Sequence, residues 1–407
     1  MKKSMKMIGF AVLAAAAAAF QGVCADCAKP ACMKDVLQPY VDSGALPGAI
    51  SVLYDNGRQA VQCIGYADVE AKRPMRLDDS FMQCSQTKGF CGVTIAKLVE
   101  EGRLKLDDPV AKYLPEFETL WVEASRTNGV RTLVQATNTL TVCMVMNHTG
   151  GFPFELANYE AMGGWSRKMP LRSVAATAAA SPLLFEPGTK VQYSNTGIDI
   201  GAAIVEVVTG MKWEDYLKEA VLEPLGMKDT TFWPTDAQLA NQIEMYFCKK
   251  GESAQRRECD SKMQRPYNGA GVFPSAGAGL WTTVNDQLKF YKMLMNLGMG
   301  ENGVRVLKEE TVKNLLAVST RKMGGGYSLG LKAPYEDGED EWFGHGGAWG
   351  TNCMVNWHRK QLKLIVVQLV GRGSGRVWED ERKAFENEFF SGTAGKAGVD
   401  DYTGRVN

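Results

Sequence analysis

Two mostly apolar, β-branched and aromatic-containing runs in Ala49–Glu70, "AISVLYDNGRQAVQCIGYADVE", flank the polar Asp55-Asn56-Gly57. Two strands joined by a tight hairpin turn are predicted there. Near the other end, Thr351–Val370, "TNCMVNWHRKQLKLIVVQLV", again holds two strand-like runs, around a polar turn at His358 to Gln361. A helical segment follows in "VWEDERKAFENEFF". Strands at both ends with helical segments between predict an α+β fold. One antiparallel sheet is built from the N- and C-terminal segments, and the long middle insertion forms a mostly helical lobe.

The first residues depart from this pattern. Met1–Lys6 is cationic, Met7–Phe20 is continuously apolar, and Val23-Cys24-Ala25 offers small residues to a signal peptidase. Residues 1–25 are expected to be a signal peptide cleaved after Ala25, in a secreted or periplasmic protein. The apolar run is too short to span a bilayer comfortably, so no membrane attachment is required. The body of the protein is expected over 34–392, with 393–407 as a tail.

Composition is that of a globular chain: 45% of the 407 residues are hydrophobic and 23% charged. The 46 basic and 46 acidic residues balance, and losing the three lysines of the leader leaves 43 against 46. No basic stripe points to nucleic acid. Of ten cysteines, Cys27–Cys32 and Cys248–Cys259 are the plausible local disulfides for an oxidising compartment. Without Cys24 no CxxC pair remains, and the three histidines include no HExxH, so no metal or other cofactor is expected. The Gly-rich "GAGVFPSAGAGLW" lacks the Gly-Lys-Ser/Thr ending of a phosphate loop.

Candidate chemistry lies in "FMQCSQTKGFCGVTIAKL", where Ser85 and Lys88 stand three apart. Such a pair is common by chance, and Ser319 and Lys322 repeat it. Context separates the two. Cys91, Ile95, Leu98 and Val99 follow Ser85 at helical spacing and Gly102 is a suitable stop. Ser85 is thus placed near the start of a buried helix, with Lys88 one turn on and on the same face. Ser319 ends a helical run just before Met323-Gly324-Gly325-Gly326 and reads as a loop serine. A Ser/Lys pair needs a proton partner and an oxyanion hole. Tyr193-Ser194-Asn195, before an apolar helix, and His345-Gly346-Gly347, at the entry to a strand, are the candidates. The other Tyr-x-Asn, at Tyr54, is consumed by the hairpin turn.

The order Ser-x-x-Lys, Tyr-x-Asn, His-Gly-Gly resembles the serine hydrolase superfamily of class C β-lactamases, D-Ala-D-Ala carboxypeptidases and related esterases. "EEGRLKLDDPVAKYLPEF", "NHTGGF", "FEPGTKVQYSNTG", "EPLGMKDTTF" and "GAGLWTTVNDQLKF" follow in that family's order, so the likeness runs from about Leu37 to Phe390. It implies the α/β sandwich of β-lactamases and penicillin-binding transpeptidases. It implies Ser85 as the acylated nucleophile, Lys88 as the group that helps to deprotonate it, and Tyr193 as general base or acid. Asn195 is implied to orient Lys88 and donate to a substrate amide. The backbone N–H groups of Ser85 and Ala348 are implied as the oxyanion hole, with Gly346 and Gly347 letting the strand edge approach substrate.

His345 stands where β-lactamases of this group carry lysine. With an ordinary pKa of about 6.5, it is expected to be largely neutral at neutral pH and to gain charge towards pH 6. The resemblance therefore implies a secreted hydrolase forming an acyl-enzyme on ester or peptide substrates, D-amino acid peptides included. A true class C-like β-lactamase and a non-enzymatic penicillin- or cell-wall-binding protein stand as alternatives. His148 is expected to tie the "NHTGG" turn, and Cys84 and Cys91 to be buried thiols. Trp281 and Trp349 are read as either cleft-lining or packing residues. No Gly-x-Ser-x-Gly elbow occurs, which argues against an α/β-hydrolase.

Overall fold

The computed structural model describes residues 30–156, 169–249, 253–256, 272–334, 342–372 and 378–392. Its main sheet has strands β1 (Gly48–Asp55), β2 (Arg58–Asp68), β3 (Arg73–Pro74), β4 (Phe343–Gly346), β5 (Asn352–Asn356) and β6 (Gln361–Val366). They run in the order β4-β5-β6-β1-β2-β3, each neighbour antiparallel. The two ends of the chain meet at β1 and β6, where Ile50 faces Val366 and Leu53 faces Lys363. The β1–β2 turn is the expected one. Asp55 pairs with Arg58, and Asn56 and Gly57 take φ of 45° and 96°, which a two-residue turn of this hand requires. The β5–β6 turn lies one residue earlier than predicted, at 357–360, because Gln361 already pairs with Asn356.

Period-two alternation puts one apolar set on each face of this sheet. Ile50, Val52, Leu362, Leu364 and Val366 join the large core under the helical lobe. Ala49, Leu53 and Ile365 face the other way, against helices α1 (Met33–Asp42) and α5 (Glu379–Ser391), through Val36, Leu37, Phe385 and Phe389. Both faces are covered, which makes the sandwich.

The lobe is built on α2 (Thr87–Glu100), α3 (Asn195–Thr209) and α4 (Val284–Met295). Helix α2 is buried nearly all round, so the spacing of its apolar residues is masked by burial of Lys88, Thr87 and Thr94 as well. Phe90 stacks on Phe290 of α4 at 3.7 Å between ring centroids. On another side α2 passes so close to the chain that a Cβ on Gly92 would run into the Leu329 carbonyl. The helix stops as expected. Gly102 takes φ +71°, and the N–H groups of Gly102 and Arg103 return to Val99 O and Leu98 O.

The lobe also contains a hairpin, Trp121–Thr127 against Val130–Gln135, that the helical expectation did not include. Its turn is Asn128-Gly129, both at positive φ, the same signal that marks the first hairpin. The leader, the tail and the expected partners Cys27 and Cys259 lie outside the described residues. No helix among the described residues is long and apolar enough to cross a membrane.

Candidate active site

Ser85 sits in a single 3-10 turn, Cys84–Gln86, that leads directly into α2. Cys84 enters this turn at φ +50°, an uncommon conformation for a residue with a side chain. Ser85 is half-buried while Cys84, Gln86, Thr87 and Lys88 around it are buried, so its hydroxyl is what the turn presents outward. Lys88 Nζ lies 3.2 Å from Ser85 Oγ. It also lies 2.5 Å from Asn195 Oδ1 and 2.7 Å from the Gly277 carbonyl oxygen.

Burial drives the Lys88 pKa down to about 7, against the opposing pull of Asp199, Glu155 and Cys84. A neutral amine has two N–H groups and one lone pair. The two carbonyl-type acceptors take both hydrogens. The lone pair is left for the Ser85 hydroxyl hydrogen, and the Ser–Lys contact becomes O–H donating to N.

Tyr193 precedes α3, whose first turn is capped by Ser194 Oγ accepting from Gly197 N at 3.1 Å. The Tyr193 ring lies over Lys88, with Nζ 4.6 Å from its centroid. Burial raises the phenol pKa well above its ordinary range, although a hydrogen bond with Ser85 opposes this. Tyr193 therefore keeps its proton at neutral pH. Asn195 opens α3 and is buried. Its Oδ1 faces Lys88, and its Nδ2 donates to Glu155 Oε1 at 2.7 Å, so one of the two hydrogens expected to meet substrate is committed inside the protein.

Edge strand β4 carries His345 inside the strand, opposite Cys353 of β5. His345 is 3% exposed. Its Nδ1 lies 2.6 Å from the Gly346 carbonyl oxygen, which only accepts, so the ring hydrogen is on Nδ1 and Nε2 is an acceptor. That buried Nε2 has no hydrogen-bond partner among the described residues. Burial, then the Lys88 charge, lowers the His345 pKa to about 3. This corrects the expectation of a ring that gains charge towards pH 6: an ordinary pKa belongs to a solvated imidazole, and this ring is desolvated.

Gly347 follows the strand and lies against the Ser85 turn. A Cβ there would collide with the Gln83 carbonyl and Thr351 Oγ1. Gly346 has room for one. Ala348 follows in an exposed turn beside the Ser85 turn, and the backbone there and at Trp349 partly offsets the rise in the Cys84 thiol pKa that burial causes.

The structure thus gathers Ser85, Lys88, Tyr193, Asn195 and His345 at one place. Ser319 lies outside it, past the helix Glu309–Ala317, where its Oγ accepts from Arg321 N. Cys84 and Cys91 are buried free thiols. Trp281 and Trp349 are buried in a small cluster with Met82, Cys84 and Met245, a packing role.

Several site residues were not read from the sequence. Glu155 holds Asn195. Asp199, one turn into α3, accepts from Gly277 N and Ser275 Oγ, both at 3.1 Å, and so supports the carbonyl that faces Lys88. Tyr327 lies 5.2 Å from Tyr193 and 6.3 Å from His345 between ring centroids. Phe154 stacks on Tyr193 at 5.9 Å and is 45% exposed, an apolar wall at the mouth. An acidic residue just inside the helix was the available signal for Asp199. Glu155, Tyr327 and Phe154 come from loops and carry none. Among the described residues, no three His, Cys, Asp or Glu side chains are grouped to hold a metal ion.

Comparison with known proteins agrees with this architecture. The family model described as Beta-lactamase matches residues 33–383. Protein Rv1367c of Mycobacterium tuberculosis is 30% identical over 277 residues, covering 67% of this chain and 68% of that protein. Esterase EstB of Burkholderia gladioli is 29% identical over 269 residues, 60% of this chain and 64% of the esterase. Among solved structures, a mutant of simvastatin synthase from Aspergillus terreus superposes with a TM-score of 0.71. It is 22% identical, covering 89% of this chain and 96% of that one, a likeness of fold.

Proposed function

Because the chain belongs to the beta-lactamase family, we propose that it is a serine hydrolase forming an acyl-enzyme at Ser85, with uncharged esters as its preferred substrates. The observation that carries this is the three-way contact of Lys88 Nζ, whose amine is neutral above about pH 7 with its lone pair left for Ser85. Ser85 Oγ attacks the acyl carbonyl and passes its proton to Lys88. The Tyr193 phenol donates its proton to the departing alkoxide and is resupplied from Lys88. Water then attacks the acyl carbon by the same relay in reverse, releasing the acid and restoring Ser85. The backbone amides of Ser85 and Ala348 hold the oxyanion.

Ester preference rests on two features. His345 replaces the lysine of β-lactamases with a neutral, buried ring, so no charge at that position awaits a substrate carboxylate. Asn195 is buried and donates to Glu155, which favours a scissile ester, having no N–H or amide to satisfy, over a peptide. Phe154 and Tyr193 offer apolar contact to the acyl or alcohol group. The similarity to an esterase supports the same reading. We place the working protein outside the cytoplasm, with residues 1–25 as its leader.

A panel of one short-chain p-nitrophenyl ester, one D-Ala-D-Ala peptide and one chromogenic cephalosporin tests this through kcat/KM. The ester should lead. Efficient cephalosporin hydrolysis with poor ester turnover replaces the reading with that of a true β-lactamase. Covalent capture of penicillin with no turnover of any substrate replaces it with that of a binding protein.

A further inference from the structure

His148 makes three contacts with the tripeptide Gln192-Tyr193-Ser194. Its carbonyl oxygen accepts from Gln192 N at 2.9 Å. Its ring Nδ1 accepts from Ser194 N at 3.2 Å. Its ring lies 4.7 Å from the Tyr193 ring between centroids. One residue thus anchors the backbone on either side of Tyr193 and packs on the ring between. Tyr327 closes the stack, edge-on to His148 at 4.7 Å and 85°.

The local backbone is arranged for this. His148 is 2% exposed and takes φ +68°, a conformation most side chains avoid and Asn, Asp and His tolerate best. The turn it occupies is pinned independently, by Thr149 N to Met144 O at 3.0 Å and by Gly188 N to Thr149 O at 2.8 Å. The pattern of donors also settles the ring. Ser194 N–H can only donate, so Nδ1 accepts and the ring hydrogen is on Nε2.

We propose that His148 is the positioning residue of the Tyr193 phenol, fixing its reach to Ser85 and Lys88 through the paired backbone anchors and the ring contact. This rests on the reading of Tyr193 as the proton relay, and it goes beyond tying the turn. His148 acts through Tyr193, so its effect should fall on the rate of chemistry and not on substrate binding. A small displacement of a relay group costs rate steeply, because proton transfer needs hydrogen-bond reach.

The test is a double-mutant cycle with a short-chain p-nitrophenyl ester on the full mature chain. His148→Ala should lower kcat on the order of 10- to 100-fold with KM unchanged. In a Tyr193→Phe background the same substitution should cost nothing further, since the phenol it positions is gone. His148→Asn places an acceptor near the Nδ1 position and tolerates positive φ, so it should restore most of the rate. Equal losses from His148→Ala in both backgrounds, or an Asn variant as slow as the Ala variant, would overturn the inference. If the Ala variant fails to fold, the Asn variant decides. A near-native rate supports the inference, and an equal loss with and without Tyr193 defeats it. Undiminished activity in Tyr193→Phe alone would remove the relay reading, and this inference with it, and is recognised separately because it needs no His148 variant.

Discussion

Lys88 and Asn195 stand 107 positions apart in the chain, and the Lys88 amine meets Asn195 Oδ1 at 2.5 Å. Gly277 lies directly behind this contact. A Cβ there would come within 2.8 Å of both Asn195 Cβ and Oδ1, and the carbonyl of the same glycine is the second acceptor for Lys88. Gly277→Ala should therefore displace the amine from two sides at once. Its kcat/KM should fall on the order of 10- to 100-fold with the fold retained. Steady-state kinetics beside a near-ultraviolet circular dichroism spectrum checks this.

The low Lys88 pKa predicts a pH dependence of activity. Below about 7 the amine is protonated and its lone pair is lost, so kcat/KM for an ester should rise through that value and level off above it. Stability should follow the same group. The unfolded chain holds the Lys88 proton up to its ordinary 10.5, and the folded protein releases it near 7. Between those values unfolding takes up a proton, so stability rises with pH across that window and the burial penalty is heaviest below it. Comparing urea midpoints of wild type and Lys88→Met across the window should show the slope reduced in the variant.

Lys88 and Tyr193 act as a unit in this account. Lys88→Ala and Tyr193→Phe should each lower kcat by roughly 10²-fold or more. The double variant should lose far less than the product of the two. Multiplicative losses would separate the residues into independent roles.

His345 is neutral over the whole working range, since its pKa lies near 3. Activity on carboxylate-bearing substrates should therefore gain nothing as pH falls towards about 6, and Lys88 protonation should only diminish it. His345→Lys should shift preference towards the cephalosporin by up to ~1–2 kcal/mol if its ammonium meets the substrate carboxylate. The ratio of kcat/KM for cephalosporin and ester, in wild type and variant, measures the shift.

The sheet and the nucleophile helix were legible in the sequence because each carries a local signal. Asn56-Gly57 dictates a turn by its positive φ, and β1 is apolar nearly throughout because each of its faces meets a core. The Asn128-Gly129 hairpin carries the same signal, inside the insertion expected to be mostly helical. Ser85 and Lys88 were legible as neighbours because both lie on one turn. What holds them was not. Glu155, Asp199, Gly277 and Tyr327 reach the site from distant segments, and nothing in the spacing of a glutamate or a tyrosine announces a partner across the fold. The state of His345 was misjudged for a related reason. Its burial is set by the sheet edge, the Tyr327 loop and Tyr193 together, not by its own neighbours in the chain.

The central claim is that Ser85 is the residue acylated. Treatment with a fluorophosphonate probe, followed by intact-mass measurement and peptide mapping, tests it most directly. The account predicts one adduct per chain, on the peptide containing Ser85, with no label and no ester turnover in Ser85→Ala. An adduct on Ser319 or any other serine, or full activity in Ser85→Ala, would contradict it.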